Sequence, residues 1–152
     1  MGEAVSLGLL IYGPLEAGAS RLVSTAERSI AENVGATFGQ AASTDYRATF
    51  FAANPELEGQ VVVHHAVEQQ VLTKFPGVAS EAEIHSLENL RGIPKTINSE
   101  LHLSQIRIEW NRFYRPFKVS GTMPKKAQLL GKAAEIDAKY GAKFTPPVGG
   151  SR

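Results

Sequence analysis

The segment Gly59-Gln60-Val61-Val62-Val63-His64-His65 constrains this chain most strongly. Three consecutive β-branched residues behind a glycine favour extended backbone, because branched side chains suit a pleated surface better than a helical one. It is the best strand signal in the sequence, and helical spacing dominates around it. The fold class expected from that combination is α+β, a mostly helical domain built around a buried-looking strand.

The helical segments are read from their boundaries. From Pro14, the residues Leu15, Ala19, Leu22, Val23, Ala26, Ile30 and Val34 keep helical spacing as far as Gly35. Ser43 or Thr44 is expected to cap a short helix over DYRATFFAA that must end before Pro55. After the histidines, AVEQQVLTKF reads as helix up to Pro76-Gly77. Ser80-Glu81-Ala82-Glu83 is a capping box, predicting a short helix that carries His85 and ends near Leu87.

The segment ENLRGIPK is expected to be irregular or briefly extended. Asn98 or Ser99 then caps a longer helix whose stripe is Leu103, Ile106, Trp110, Phe113 and Phe117, closed by Pro116. A last helix runs from Pro124 to Gly141, with Leu129, Ala133, Ile136 and Tyr140 on one face and Lys125, Lys132 and Lys139 on another. These boundaries divide the chain into a leading segment (1–44), a central unit (45–117) and a basic C-terminal helix and tail (118–152).

The 152 residues amount to one domain, with 43% hydrophobic and 20% charged side chains. Cysteine is absent, which excludes disulfides and thiolate metal sites and leaves His, Asp, Glu and Asn as metal ligands. No run is apolar enough for a membrane span, and the N-terminal stretch lacks the basic region of a signal peptide. Delivery outside the cell would therefore depend on a larger parent protein.

The net charge of +1 hides a division. Residues 1–90 hold four basic groups against eleven acidic ones, while residues 91–152 hold twelve against four. A polyanionic partner for the second half and mutual neutralisation within the fold explain this equally well.

Two of the four histidines stand side by side at the strand's end. Side chains alternate across a strand, so both cannot enter the core unless the strand has opened into a turn. There, one can ligate a metal while the other, neutral near pH 7, faces a water. Asn89 follows in a loop, and His102 lies in the first turn of the next helix.

The order of strand, His-His, Asn and helical His resembles the HNH (ββα-metal) nucleases of the endonuclease VII superfamily. It is most similar to the toxin domains at the C-termini of Rhs-type and other bacterial polymorphic toxins. The resemblance spans about residues 45–115. It implies His64 and His102 as metal ligands, His65 as general base, and Asn89 as the residue holding the base-bearing loop. Position 106 is isoleucine where colicin-like nucleases carry a further histidine.

One divalent ion would thus have two histidine ligands plus water, phosphate or a carboxylate such as Glu68, a set compatible with Mg, Mn, Ni or Zn. His85 is either a third ligand or a packing histidine, packing being the commoner use. Arg91, Lys95, Arg107, Arg112 and Arg115 flank the motif as candidate phosphate contacts, or as solvated charges. Trp110 reads as core.

The implied activity is hydrolysis of DNA, or RNA, in the cytoplasm of a target bacterium. The domain would be secreted as part of a larger effector, and the producer would need an immunity protein, expected to be acidic. Two rivals of other classes are a nucleic-acid-binding module without catalysis and a structural or adaptor domain of a secreted protein.

Overall fold

The computed structural model describes residues 36–148. The helix expected over residues 14–35 lies outside them. Within the described residues the architecture is mixed, a two-stranded antiparallel sheet surrounded by helices. Helix α1 (Tyr46–Ala53) starts on Asp45, whose side chain accepts from the Ala48 N–H, one residue later than the expected caps. Strand β1 (Val61–His65) follows, then the short helices α2 (Val71–Lys74) and α3 (Glu81–Ile84). Strand β2 (Leu90–Pro94) leads into a nearly continuous helical rod. The rod comprises the turn Asn98–Glu100, a π-helical segment Leu101–Ile106, and α4 (Arg107–Ser120). Helix α5 (Lys126–Tyr140) closes the order.

β1 and β2 pair with Val61 opposite Pro94, Val63 opposite Gly92, His64 opposite Arg91 and His65 opposite Leu90. One face of the hairpin carries Val61, Val63 and Leu90, which pack with Phe50 and Leu57 into a core cluster. The other face carries His64 and Arg91 and meets the C-terminal half of the chain through His102, Phe144 and Asp137. Covering both faces is what allows adjacent residues of one strand to be buried on opposite sides.

Three sequence expectations change, and a fourth is settled between its two alternatives. The expected helix after His65 does not begin until Val71, and the reason is Asn89. Its backbone carbonyl accepts from the Ala66 N–H (2.8 Å), and its side chain takes both the N–H and the C=O of Val67 (2.9 and 3.0 Å). Those backbone groups are committed sideways, so they cannot enter a helical ladder.

ENLRGIPK contains a true strand, because each β1 residue from Val61 to His65 finds a partner in it. Gly92 is required there, since a Cβ would run into the Thr145 carbonyl oxygen and the Phe50 ring. Pro116 sits inside α4 instead of ending it. It is exposed, so the Arg112 carbonyl that loses a partner can turn toward water. The helix stops at Gly121, whose φ of +69° is a left-handed cap.

Leu103, placed on the apolar stripe, is 53% exposed, and Leu101 is buried in its stead. The π-helical segment adds a residue per turn and shifts the phase of the stripe. Trp110 is fully buried, as expected, between Phe113 and Tyr114.

Candidate functional site

β1 delivers the two histidines, and the helical rod delivers the third. The imidazoles of His64 and His102 meet edge to face with ring centroids 4.4 Å apart. His64 is buried, and that desolvation, with His102, His65 and Arg91 as lesser contributors, holds its pKa well below the ordinary value. His102 is half-buried and lowered as well, first by desolvation and then by Arg107. Among the described residues, its buried Nδ1 has no hydrogen-bond partner. Both rings are therefore neutral at pH 7, the state in which imidazole binds metals.

His65 departs from expectation. Instead of lying open to solvent at a strand end, it sits within β1 and is 5% exposed. Its Nε2 is 3.1 Å from Nδ1 of His85, and Tyr46 packs against both rings, edge-on to His65 and stacked on His85. Burial, then the neighbouring His85, His102 and Arg47, bring its pKa down to about 3. The residue still borders a cavity, whose wall includes Val62, Val63, His64 and His65 in succession. Four consecutive strand residues can share one wall only along a strand edge. The cavity therefore follows the edge of β1 that has no partner strand among the described residues.

That cavity has a volume of about 290 Å³, and Tyr46, Arg47, Glu68, Gln69, Gln70, His102 and Arg107 complete its lining. Asn89 lies behind it. It is buried, accepts from Val67 N–H and donates to the carbonyls of Val67 and Ile84 (2.8 Å), so all its polar atoms are engaged within protein. Its part is structural: it pins the chain just after the histidines.

Glu68 reaches the cavity, but its Oε1 accepts from the Tyr114 hydroxyl (2.7 Å) and from Gln70. Burial, followed by Glu68, pushes the Tyr114 pKa upward, which keeps that hydroxyl a donor. His85 is occupied with His65. Among the described residues, no three His, Asp or Glu side chains are gathered as a metal-ligand set. The His64–His102 pair still suits a cation, because an orphaned ring nitrogen stands beside a desolvated neutral imidazole. An ion there would complete its shell with water or phosphate.

The expected phosphate contacts divide. Arg107 is exposed and lines the cavity, while Lys95, Arg112 and Arg115 are exposed away from its wall. Arg91 is a correction. It is 4% exposed, with Nε and Nη2 on the two Asp137 carboxylate oxygens (3.1 and 2.8 Å) and Nη1 on the carbonyls of Glu88 and Leu90. Pairing with His64 in the ladder turns its side chain inward, where it ties β2 to α5 and reaches no surface ligand. The lysine face of α5 is also partly committed, since Lys132 and Lys139 both bond Glu109 of α4.

Sequence reading missed Arg47 and the His65–His85 contact. Arg47 sits on α1, before the motif begins, and only the packing of α1 beside β1 brings it to the cavity. No signal in the sequence distinguishes it from a surface arginine. No protein-family model matches the chain, and no curated protein or solved structure shows significant similarity to it.

Proposed function

We propose that this domain is a metal-dependent nuclease, and that it hydrolyses DNA as the toxic part of a larger secreted effector. The observation that supports it best is the meeting of His64 and His102 from distant parts of the chain, beside a neutral His65 in an arginine-flanked cavity. A two-stranded antiparallel hairpin followed by a histidine-bearing helix is also the order that the HNH resemblance leads one to expect.

In this reading His65 is the general base. With Nδ1 of His85 as acceptor, the His65 proton sits on Nε2, and Nδ1 keeps the lone pair. That nitrogen takes a proton from water, the oxygen attacks phosphorus in line, and the bond to the 3′-oxygen breaks. The leaving oxygen is protonated from solvent. Arg107 and Arg47 pair with the non-bridging oxygens, and such backbone contacts carry no base preference. A divalent ion held by His64 and His102 supplies, when bound, charge neutralisation at the phosphate. Burial keeps His65 unprotonated at neutral pH, and the same lowering makes it a weaker base than a free imidazole.

Incubation of the purified domain with plasmid, with and without EDTA, tests the reading. Cleavage that disappears on chelation and returns with Mg²⁺, Mn²⁺, Ni²⁺ or Zn²⁺ is expected. His65→Ala should lower the rate by about 10²–10⁴-fold with metal content unchanged. His85→Ala should lower it by about 10–100-fold, the usual cost of losing an outer-shell partner. DNA and RNA left intact with every metal would overturn the proposal. A mobility shift without cleavage would identify a binding module instead.

A further inference from the structure

A second cavity, of about 540 Å³, lies on the far side of Tyr114, and its wall includes Lys74, Phe75, Arg115, Phe117 and Lys118. Its floor is aromatic: the Phe75 ring is 5.7 Å from Tyr114 and 6.0 Å from Phe117 between centroids. Phe117 is half-buried, so part of its ring is open to the cavity. The rim carries three cations and, among the described residues, no carboxylate.

Among the described residues, none of these cations is held in an ion pair. Their one charge contact there is Lys74 Nζ over the Tyr114 ring, 5.2 Å from its centroid. Elsewhere in this half of the molecule Arg91, Lys132 and Lys139 are all paired with carboxylates. The rim therefore gathers three cations that no carboxylate of the described residues neutralises.

The two cavities have no lining residue in common, but one hydrogen bond links their walls. The Tyr114 ring lines the aromatic one, and its hydroxyl donates to Glu68, which lines the histidine cavity. The buried Tyr114–Glu68 pair therefore stands between the two cavities. The volume suits a small organic group. The rings are inclined to one another (54° and 74°), so a single ring face with a cationic rim is what a nucleobase with adjoining phosphates would meet.

We propose that this cavity is a nucleobase subsite for single-stranded nucleic acid. A base stacks on Phe117, and Lys74, Arg115 and Lys118 take the adjoining phosphates. The subsite rests on the nuclease reading for its place along the substrate path, but its binding can be measured without catalysis.

The test is fluorescence anisotropy with labelled octathymidylate, using the full chain with EDTA present so that nothing is cut. Three exposed or half-exposed positions are changed. Phe117→Leu keeps apolar volume but removes the stacking face, and should weaken binding about tenfold, the scale of one missing base stack, with the salt slope unchanged. Arg115→Ala/Lys118→Ala should lower the log–log salt slope by about 0.7 for each phosphate no longer neutralised.

Wild-type affinity in both variants would overturn the proposal. So would a loss confined to the cation variant, since that describes a phosphate path without a base. A cavity that fits an acidic protein instead would give the same negative result. Binding that behaves as expected in a protein that cleaves nothing would keep the subsite and remove only the nuclease reading.

Discussion

Arg91 and Arg107 come from the same basic half of the chain, and their surroundings could hardly differ more. Arg91 is buried between β2 and α5 with every nitrogen bonded, two of them to Asp137. Arg107 is exposed at the rim of the histidine cavity. A second seam, between α5 and α4, absorbs Lys132 and Lys139, which close on Glu109. Three of the twelve basic groups in the second half of the sequence are thus paired with carboxylates of the same half. Net charge along a sequence measures supply. Packing decides how much of it reaches a ligand.

The sharpest way to break this contrast is to remove each arginine. Arg91→Ala strands the Asp137 carboxylate, already pushed toward protonation by burial, in the interior. A loss of about 3–5 kcal/mol in urea unfolding is expected, as for other broken buried pairs. Stability within about 0.5 kcal/mol of the wild type would show that Arg91 is not the tie described.

The histidine side of the contrast is read through pH. His64 and His65 have folded pKa values below their unfolded ones, the latter at about 3. Below pH 6.5 the unfolded chain takes up protons that the folded chain refuses. Their stability contribution is therefore complete above pH 6.5 and falls as pH drops toward the folded values. The slope is at most about 1.4 kcal/mol per pH unit for each group. Urea midpoints measured from about pH 7.5 to about pH 4.5 should fall, and His64→Gln/His65→Gln should flatten the curve. An equally steep curve in that variant would place the titration elsewhere.

Arg107→Ala should leave the fold alone and weaken DNA binding evenly across sequences. Its log–log salt slope should drop by about one unit, as for a single phosphate no longer neutralised. An unchanged slope would remove Arg107 from the path of the nucleic acid.

The smallest effect belongs to the exposed end of the second seam. Lys139→Met should shift the urea midpoint least of these variants, as expected of a surface pair. Glu109, lowered to about 2 by Lys139 and then Lys132, contributes stability that is present above its ordinary pKa and lost as pH falls through about 2. Glu109→Gln should accordingly reduce the protein's sensitivity to acid in that window, as seen in circular dichroism during acid titration. Equal acid sensitivity in both proteins would count against the pairing.

Local signals were enough for several elements. The valine run carried β1, the Ser80–Glu83 capping box forms as read, and α5 buries Leu129, Ala133 and Ile136. Each depends on residues within a turn or two of one another, where spacing and caps act directly. The order of His64, His65, Asn89 and His102 was legible too, since motif order is a property of the sequence.

What the sequence could not contain was the identity of each residue's neighbour across the fold. Asn89 stops a helix by bonding Val67, His85 becomes the partner of His65, and a strand register turns Arg91 inward. Arg47 joins the cavity only because α1 packs beside β1. Those contacts form between segments far apart along the chain, and desolvation sets their consequences: neutral histidines, a committed arginine, a donor tyrosine. The sequence by itself determined which groups were available and which elements carried them. Tertiary structure alone decided which met and which were removed from water, because burial and long-range pairing exist only once the chain has closed on itself.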